Sequence, residues 1–197
     1  MEIKIDYFEY ICNRIIYETI SMGFTSIDIN EFDFYWCIVA SEEYDDDPPE
    51  VCMGSLLDER EWLYSVLDDS EDNMPIICHY EWLSRVIQAL SYLVFKGKKP
   101  NKTVDETIEV KTISRIFDAL VLEPKKHGIS FFNIDFDHHW DIKIEDLFDT
   151  SKQPVPVKCS LGKDYKCLKD MLETNQFKLA EALECLAHLT KAIGYYS

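Results

Sequence analysis

The chain has 197 residues, with 37 acidic against 20 basic side chains and a net charge of −17. Hydrophobic residues make up 47 % and aromatic residues 13 %, which excludes a wholly disordered chain and is enough to bury a sizeable core. A field of this sign repels nucleic acid and anionic lipid and favours basic protein surfaces, and no apolar run approaches the ~18 residues of a membrane helix.

The first predicted element is a helix over residues 6–22, where Phe8, Ile11, Cys12, Ile15, Ile16 and Ile20 recur at helical spacing. Gly23 is placed to close it in the left-handed conformation. Ile27 and Ile29 then alternate on odd numbers and Phe32, Phe34, Trp36 and Ile38 on even numbers, so a strand pair is expected with a turn or bulge at Asn30–Glu31. An acidic loop, Glu42 to Glu50, ends the strand through Pro48 and Pro49. Ser55, three residues before Asp58, marks the start of a short helix carrying Leu56, Leu63, Val66 and Leu67. After a second acidic loop from Asp68 to Asp72, a longer helix carries Leu83, Val86, Ile87, Leu90 and Val94 and is closed by Gly97.

The pattern then recurs about 105 residues later. Gly23-Phe24-Thr25-Ser26-Ile27-Asp28-Ile29 aligns with Gly128-Ile129-Ser130-Phe131-Phe132-Asn133-Ile134. Phe32-Asp33 and Trp36 align with Phe136-Asp137 and Trp140, Ser55-Leu56 with Ser160-Leu161, and Glu81 with Glu184. In this second half a helix over 105–122 is expected to stop before Pro124, with later helices over 161–172 and 179–193, the last closed by Gly194. Self-similarity at one period predicts a tandem duplication of a helix–strand(s)–helix–helix unit. The expected fold is α+β: a first αββαα-like repeat at 1–96, a linker at 97–103 and a second repeat at 104–197. The two are expected to pack around a pseudo-twofold, which a monomer can accommodate and which leaves the oligomeric state open, with strands in one sheet or two facing sheets and helices outside.

Seven cysteines are widely spread with no C-x-x-C pair, which argues against a zinc ribbon or a redox pair and for free thiols in apolar slots. The N-terminus lacks the basic-then-apolar pattern of a secretory signal, so a cytoplasmic location is expected. No nucleophile elbow, HExxH, phosphate-loop or dinucleotide fingerprint is present, so neither catalysis nor a cofactor is predicted. One cluster keeps an enzymatic alternative open. On an extended strand Asp135, Asp137, His139 and Asp141 share a face, a ligand set for a metal-dependent hydrolase. The competing reading is a solvated outer face opposite Ile134, Phe136, Trp140 and Ile142, and the first copy has Asp33, Tyr35 and Cys37 there.

Charge divides the halves. Residues 1–99 carry 21 acids against 7 Lys and Arg, whereas residues 100–197 carry 16 against 13. Thirteen of those acids fall within residues 42–72: Glu42, Glu43, Asp45, Asp46, Asp47, Glu50, Asp58, Glu59, Glu61, Asp68, Asp69, Glu71 and Asp72. The second copy keeps the fold pattern without this charge, so folding does not require it, and a basic partner would relieve its self-repulsion. With Tyr44 and Trp62 as aromatic anchors, these residues are the expected partner-binding surface.

The size, the charge, the Tyr35-Trp36-x-Ile38 strand, and Gly54-Ser55-Leu56-Leu57-Asp58-Glu59 followed by Trp62-Leu63 resemble the small acidic immunity proteins of bacterial toxin systems. The resemblance covers mainly residues 32–95. Gly54 is replaced by Cys159 in the second half, and the acids after Leu56 by Lys163 and Lys166. It implies a non-enzymatic inhibitor that covers the basic cleft of a partner such as a nuclease-type toxin.

Overall fold

Apolar residues at helical spacing and short β-branched runs give an α+β fold in which the two halves are interleaved. The computed structural model describes residues 1–39, 42–67, 76–99 and 106–195. The first half runs β1 (Glu2–Lys4), α1 (Ile5–Ser21), β2 (Ser26–Asp28), α2 (Ile29–Phe32), β3 (Phe34–Ile38), β4 (Val51–Ser55), α3 (Leu56–Ser65) and α4 (Ile76–Lys96). The second runs β5 (Thr107–Glu109), α5 (Val110–Lys126), β6 (Phe131–Asn133), β7 (His138–Asp141), β8 (Val157–Ser160), α6 (Leu161–Thr174) and α7 (Leu179–Tyr195). The order of elements therefore recurs, apart from the one-turn helix α2, which absorbs the expected change of phase at Asn30–Glu31. Of the predicted linker, residues 97–99 follow α4, and the remainder lies outside the described residues.

The apolar stripe of α1 is buried as expected from Phe8 to Ile16, while Ile20 at its end is 37 % exposed. Left-handed glycines close α1 and α5 alike: Gly23 has φ +90° and Gly128 φ +74°. Pro124 does not stop α5; it sits inside its last turn. A proline there frees the carbonyl of Leu120, four residues back. The buried Tyr80 hydroxyl donates to that carbonyl at 3.3 Å, so α5 continues to Lys126. Gly194 likewise lies within α7 and caps nothing. A side chain there would meet Cβ of Tyr80 at 2.3 Å, so glycine lets α4 and α7 approach.

Strand pairing departs from the expected sheet. Among the described residues the strands form four separate two-stranded antiparallel ladders. Two lie within a half, β3 with β4 and β7 with β8; two cross between halves, β1 with β6 and β2 with β5. The crossing ladders are reciprocal, Ile3 opposite Phe132 and Ile108 opposite Ile27. Neither helices outside nor a continuous sheet describes the result, because α7 is buried on nearly every side and packs along α4. Its apolar residues cover most of its circumference, and the polar stripe of Glu184, His188 and Lys191 is taken inside with them, His188 and Lys191 paired with buried acids. Among the described residues the buried apolar side chains, Ile38 and Ile142 apart, form one cluster drawn from both halves.

Two tryptophans lock the halves together. Trp140 donates its indole N–H to the carbonyl of Asp45 at 2.8 Å, and Trp36 donates to that of Asp149 at 2.9 Å. Their backbone N–H groups add Trp140 to Glu43 at 2.9 Å and Trp36 to Leu147 at 2.8 Å. Each loop is thus held by a strand of the opposite half.

Candidate functional site

Strand β3 turns the opposite way from the expectation. Tyr35 and Cys37 point into the core, and Phe34 is 58 % exposed. Directly across the ladder from Tyr35 stands Gly54, where a Cβ would lie 2.5 Å from the ring. The missing side chain lets the tyrosine lie over the backbone. Its hydroxyl donates to Oε1 of Glu59 on α3, which also takes Nη1 of Arg85 from α4 at 3.1 Å. Arg85 pairs through Nη2 with Glu81 one turn earlier. Glu59 is only 3 % exposed, and its Oε2 has no hydrogen-bond partner among the described residues. Burial pushes the Glu59 carboxyl up to about 7, against the pull of Arg85 and Tyr35.

This network forms part of the lining of a cavity of about 450 Å³, bounded by Phe34, Met53, Gly54, Ser55, Asp58, Glu59, Trp62, Trp82 and Arg85. Phe34, Met53 and Trp62 are each about half exposed. Trp62 stacks on Trp82 with ring centroids 5.6 Å apart and 26° between planes. Of the predicted surface, then, the fold gathers Asp58, Glu59 and Trp62 around one opening, with Glu61 exposed on the same helix.

The remaining members of that surface are scattered. Glu42 accepts from the Glu50 backbone N–H at 2.7 Å, which ties the loop to itself. Glu43 is not a surface group: it is buried and paired with Lys191 of α7. Tyr44 is no exposed anchor either, because its ring packs at 4.2 Å from Phe136 and 4.7 Å from Tyr195. Asp45, Asp46, Asp47 and Glu50 are exposed, with Asp46 3.5 Å from Lys158. This loop leaves the ladder at Ile38 and Val51, whereas α3 starts beyond Ser55 at the far end, about 14 Å along the strand. Asp68, Asp69, Glu71 and Asp72 lie outside the described residues.

A second polar cluster occupies the corresponding place in the second half. His139 and Asp141 on β7 point inward, not outward, and meet Asp164 of α6 and His188 of α7. His188 places Nδ1 2.9 Å from Oδ2 of Asp164 and Nε2 2.8 Å from Oδ2 of Asp141. His139 places Nε2 3.2 Å from the same Asp164 oxygen, while its buried Nδ1 has no partner among the described residues. Gln88 of α4 donates to Asp141 at 3.0 Å, and Glu184 approaches Asp141 and His188. Burial alone would lower the His188 pKa; Asp141 and Asp164 reverse this and hold it well above the usual imidazole value. Burial likewise works against both carboxylates, and the histidines hold them below the usual range. Glu184, with less help, is pushed by burial up to about 7.

The predicted metal-ligand set is therefore split. Asp135 and Asp137 are exposed and precede the strand, and only His139 and Asp141 reach the cluster. Asp137 instead accepts from the Gly162 N–H at 2.8 Å and from the Ser160 hydroxyl at the start of α6. Asp33 does the same for Leu57 and Ser55 at the start of α3. No local pattern singles out Tyr35, Arg85, Asp164 or His188. The usable signal is the period: Arg85 and His188, like Glu81 and Glu184, are polar residues 103 positions apart on corresponding helices.

Comparison with protein-family models, with curated proteins and with solved structures finds no match.

Proposed function

We propose that the protein is a non-enzymatic protein-binding module, an inhibitor of the immunity-protein kind, that engages a basic partner through its acidic first half. The observation that carries this reading is the cavity over β3 and β4. It combines half-exposed Phe34, Met53 and Trp62 at its rim with a buried carboxylate, Glu59, that has one oxygen unpartnered. Glu59 and Glu81 both pair with the one guanidinium, Arg85, and Asp58 lines the same cavity, so three carboxylates against one cation leave a local balance that favours a further cation. A lysine or arginine side chain from a partner fits this chemistry: its stem lies on the aromatic rim, and its head meets Glu59 and the indole faces. Asp45, Asp46, Asp47 and Glu50, at the other end of the ladder, attract the partner from a distance and set the rate of encounter.

Under this reading the protein acts in the cytoplasm, and its halves descend from one copied unit, of which only the first kept the charge. The alternative of a metal-dependent hydrolase has weaker support. Asp135 and Asp137 are exposed while His139 and His188 are buried, so the predicted ligands do not share one accessible site. Among the described residues no helix is long and apolar enough to cross a membrane.

The test is a search for association with basic proteins, beginning with any encoded beside this chain, followed by stopped flow at low and high salt. A complex whose association slows steeply with salt, and which Glu59→Gln and Trp62→Ala weaken at least about tenfold, is the expected result. A complex insensitive to salt and to both substitutions would overturn the proposal.

A further inference from the structure

We propose that His139, Asp164 and His188 form a binding site for one divalent transition-metal ion, with Asp141 orienting His188. One donor atom from each of His139, Asp164 and His188 lies within 4.8 Å of the other two, and Nε2 of His139 and Nδ1 of His188 both face Oδ2 of Asp164. Two of the separations are 3.2 and 2.9 Å. Donors around a tetrahedral zinc ion, bonded at about 2.0–2.1 Å, stand roughly 3.3 Å apart, so small shifts admit an ion. The donors come from a strand and two helices packed against each other, which fixes them in place without a flexible loop.

Asp141 supplies what a ligating histidine ordinarily has. Its Oδ2 sits 2.8 Å from Nε2 of His188, which places the proton there and leaves Nδ1 to bind the ion. Asp141 is itself held by Gln88 at 3.0 Å. Imidazole with carboxylate suits zinc, cobalt or nickel, and a magnesium or calcium site would need more oxygen donors than converge here.

The first half sharpens the case. There Arg85 carries its own positive charge to Glu59 and Glu81. In the second half His188 takes the place of Arg85, His139 that of Tyr35 and Asp141 that of Cys37, so Asp141, Asp164 and Glu184 meet imidazoles where Glu59 and Glu81 meet a guanidinium. A bound divalent ion provides the charge that the guanidinium provides in the first half. With His139 and His188 both under 10 % exposed the site is buried, and its role is to hold β7, α6 and α7 together, with a water completing the coordination that the three side chains leave open.

The experiment uses the full chain, stripped with chelator and then titrated with zinc or cobalt alone. One equivalent should bind, the cobalt form should show the visible bands of a tetrahedral nitrogen–oxygen site, and zinc should raise the melting temperature by about 5 °C or more. Asp141→Asn should weaken binding by about 10–100-fold. His188→Arg, which installs the residue of the first half, should abolish binding yet keep a cooperative melt at the temperature of the metal-free protein, separating loss of the site from loss of the fold. Substoichiometric binding, no shift with zinc, or full binding by His139→Ala would each overturn the proposal. The imidazolium–carboxylate network would then be the whole content of the cluster, and the proposed partner surface would be unaffected.

Discussion

Glu59 reaches Arg85 with only one of its carboxylate oxygens: Oε1 takes Nη1 at 3.1 Å, and Oε2 has no partner among the described residues. A buried, half-satisfied carboxylate is costly, and its persistence under an open rim of Phe34, Met53 and Trp62 is the feature around which the functional reading is built. In the second half Asp164 takes the place of Glu59, but its Oδ2 faces both His139 and His188.

The two kinds of shifted group give stability a definite pH dependence. Glu59 is raised from 4.5 to about 7, so the folded chain keeps a proton that the unfolded chain has released. Its contribution is fully present below about pH 4.5 and is lost as pH rises through about 7, up to about 3 kcal/mol. His188, also raised, acts in the same direction: its contribution is present below the ordinary imidazole value and lost above its own. Asp141 and Asp164 are lowered, so theirs is present above the ordinary aspartate value and lost only in stronger acid. The melting temperature should therefore fall between about pH 5 and pH 8, and Glu59→Gln should reduce the slope below about pH 7 without abolishing it, since Glu184, also raised to about 7, still contributes. A melting temperature that rises over this range would contradict the assignment.

Tyr80 and Pro124 form a compensating pair. Tyr80→Phe strands the buried Leu120 carbonyl that Pro124 leaves without its usual donor, at a cost of about 1–3 kcal/mol. Pro124→Ala supplies a backbone N–H for that carbonyl, so in the double variant the tyrosine should matter far less. Denaturant unfolding of the four proteins measures the coupling; strictly additive losses would show that the hydroxyl does something else.

Reversing Asp45, Asp46 and Asp47 to lysine should leave the fold unchanged, since these side chains are exposed and the loop is held by its backbone through Trp140. Association with a basic partner should slow by at least about tenfold at low salt, with a smaller effect on dissociation. An unchanged association rate would remove this loop from the interface.

Trp62→Ala should lower stability by less than about 1 kcal/mol, since the ring is 46 % exposed and rests mainly on Trp82. Its effect on partner binding should be several times larger. Calorimetry of the free and bound protein separates the two, and a loss confined to folding would mark Trp62 as an ordinary packing residue.

Much of the fold is legible in the chain. The stripe from Phe8 to Ile16 and the glycines at 23 and 128 place α1 and the ends of α1 and α5, because local spacing and backbone conformation decide them. Two things are not legible. The strands β1 and β5 have three residues each and are fixed by partners more than 75 residues away, beyond the reach of any local pattern. The facing of β3 and β7 is inverted because hydrophobicity selects the wrong side. Phe34 is apolar yet lines an open cavity, while His139 and Asp141 are polar yet buried, since α6 and α7 bring them partners from far along the sequence. The acidic surface divides for the same reason, with Glu43 and Glu59 withdrawn into the interior by Lys191 and Arg85.

The most direct measurement is a nuclear magnetic resonance titration of the labelled protein with N-acetyl-arginine amide, following the indole signals of Trp62 and Trp82. Saturable shifts of both indoles, absent with the uncharged norleucine analogue and lost in Glu59→Gln, are what a cation-accepting cavity predicts. Indoles that do not move, or that move equally with norleucine, would contradict it.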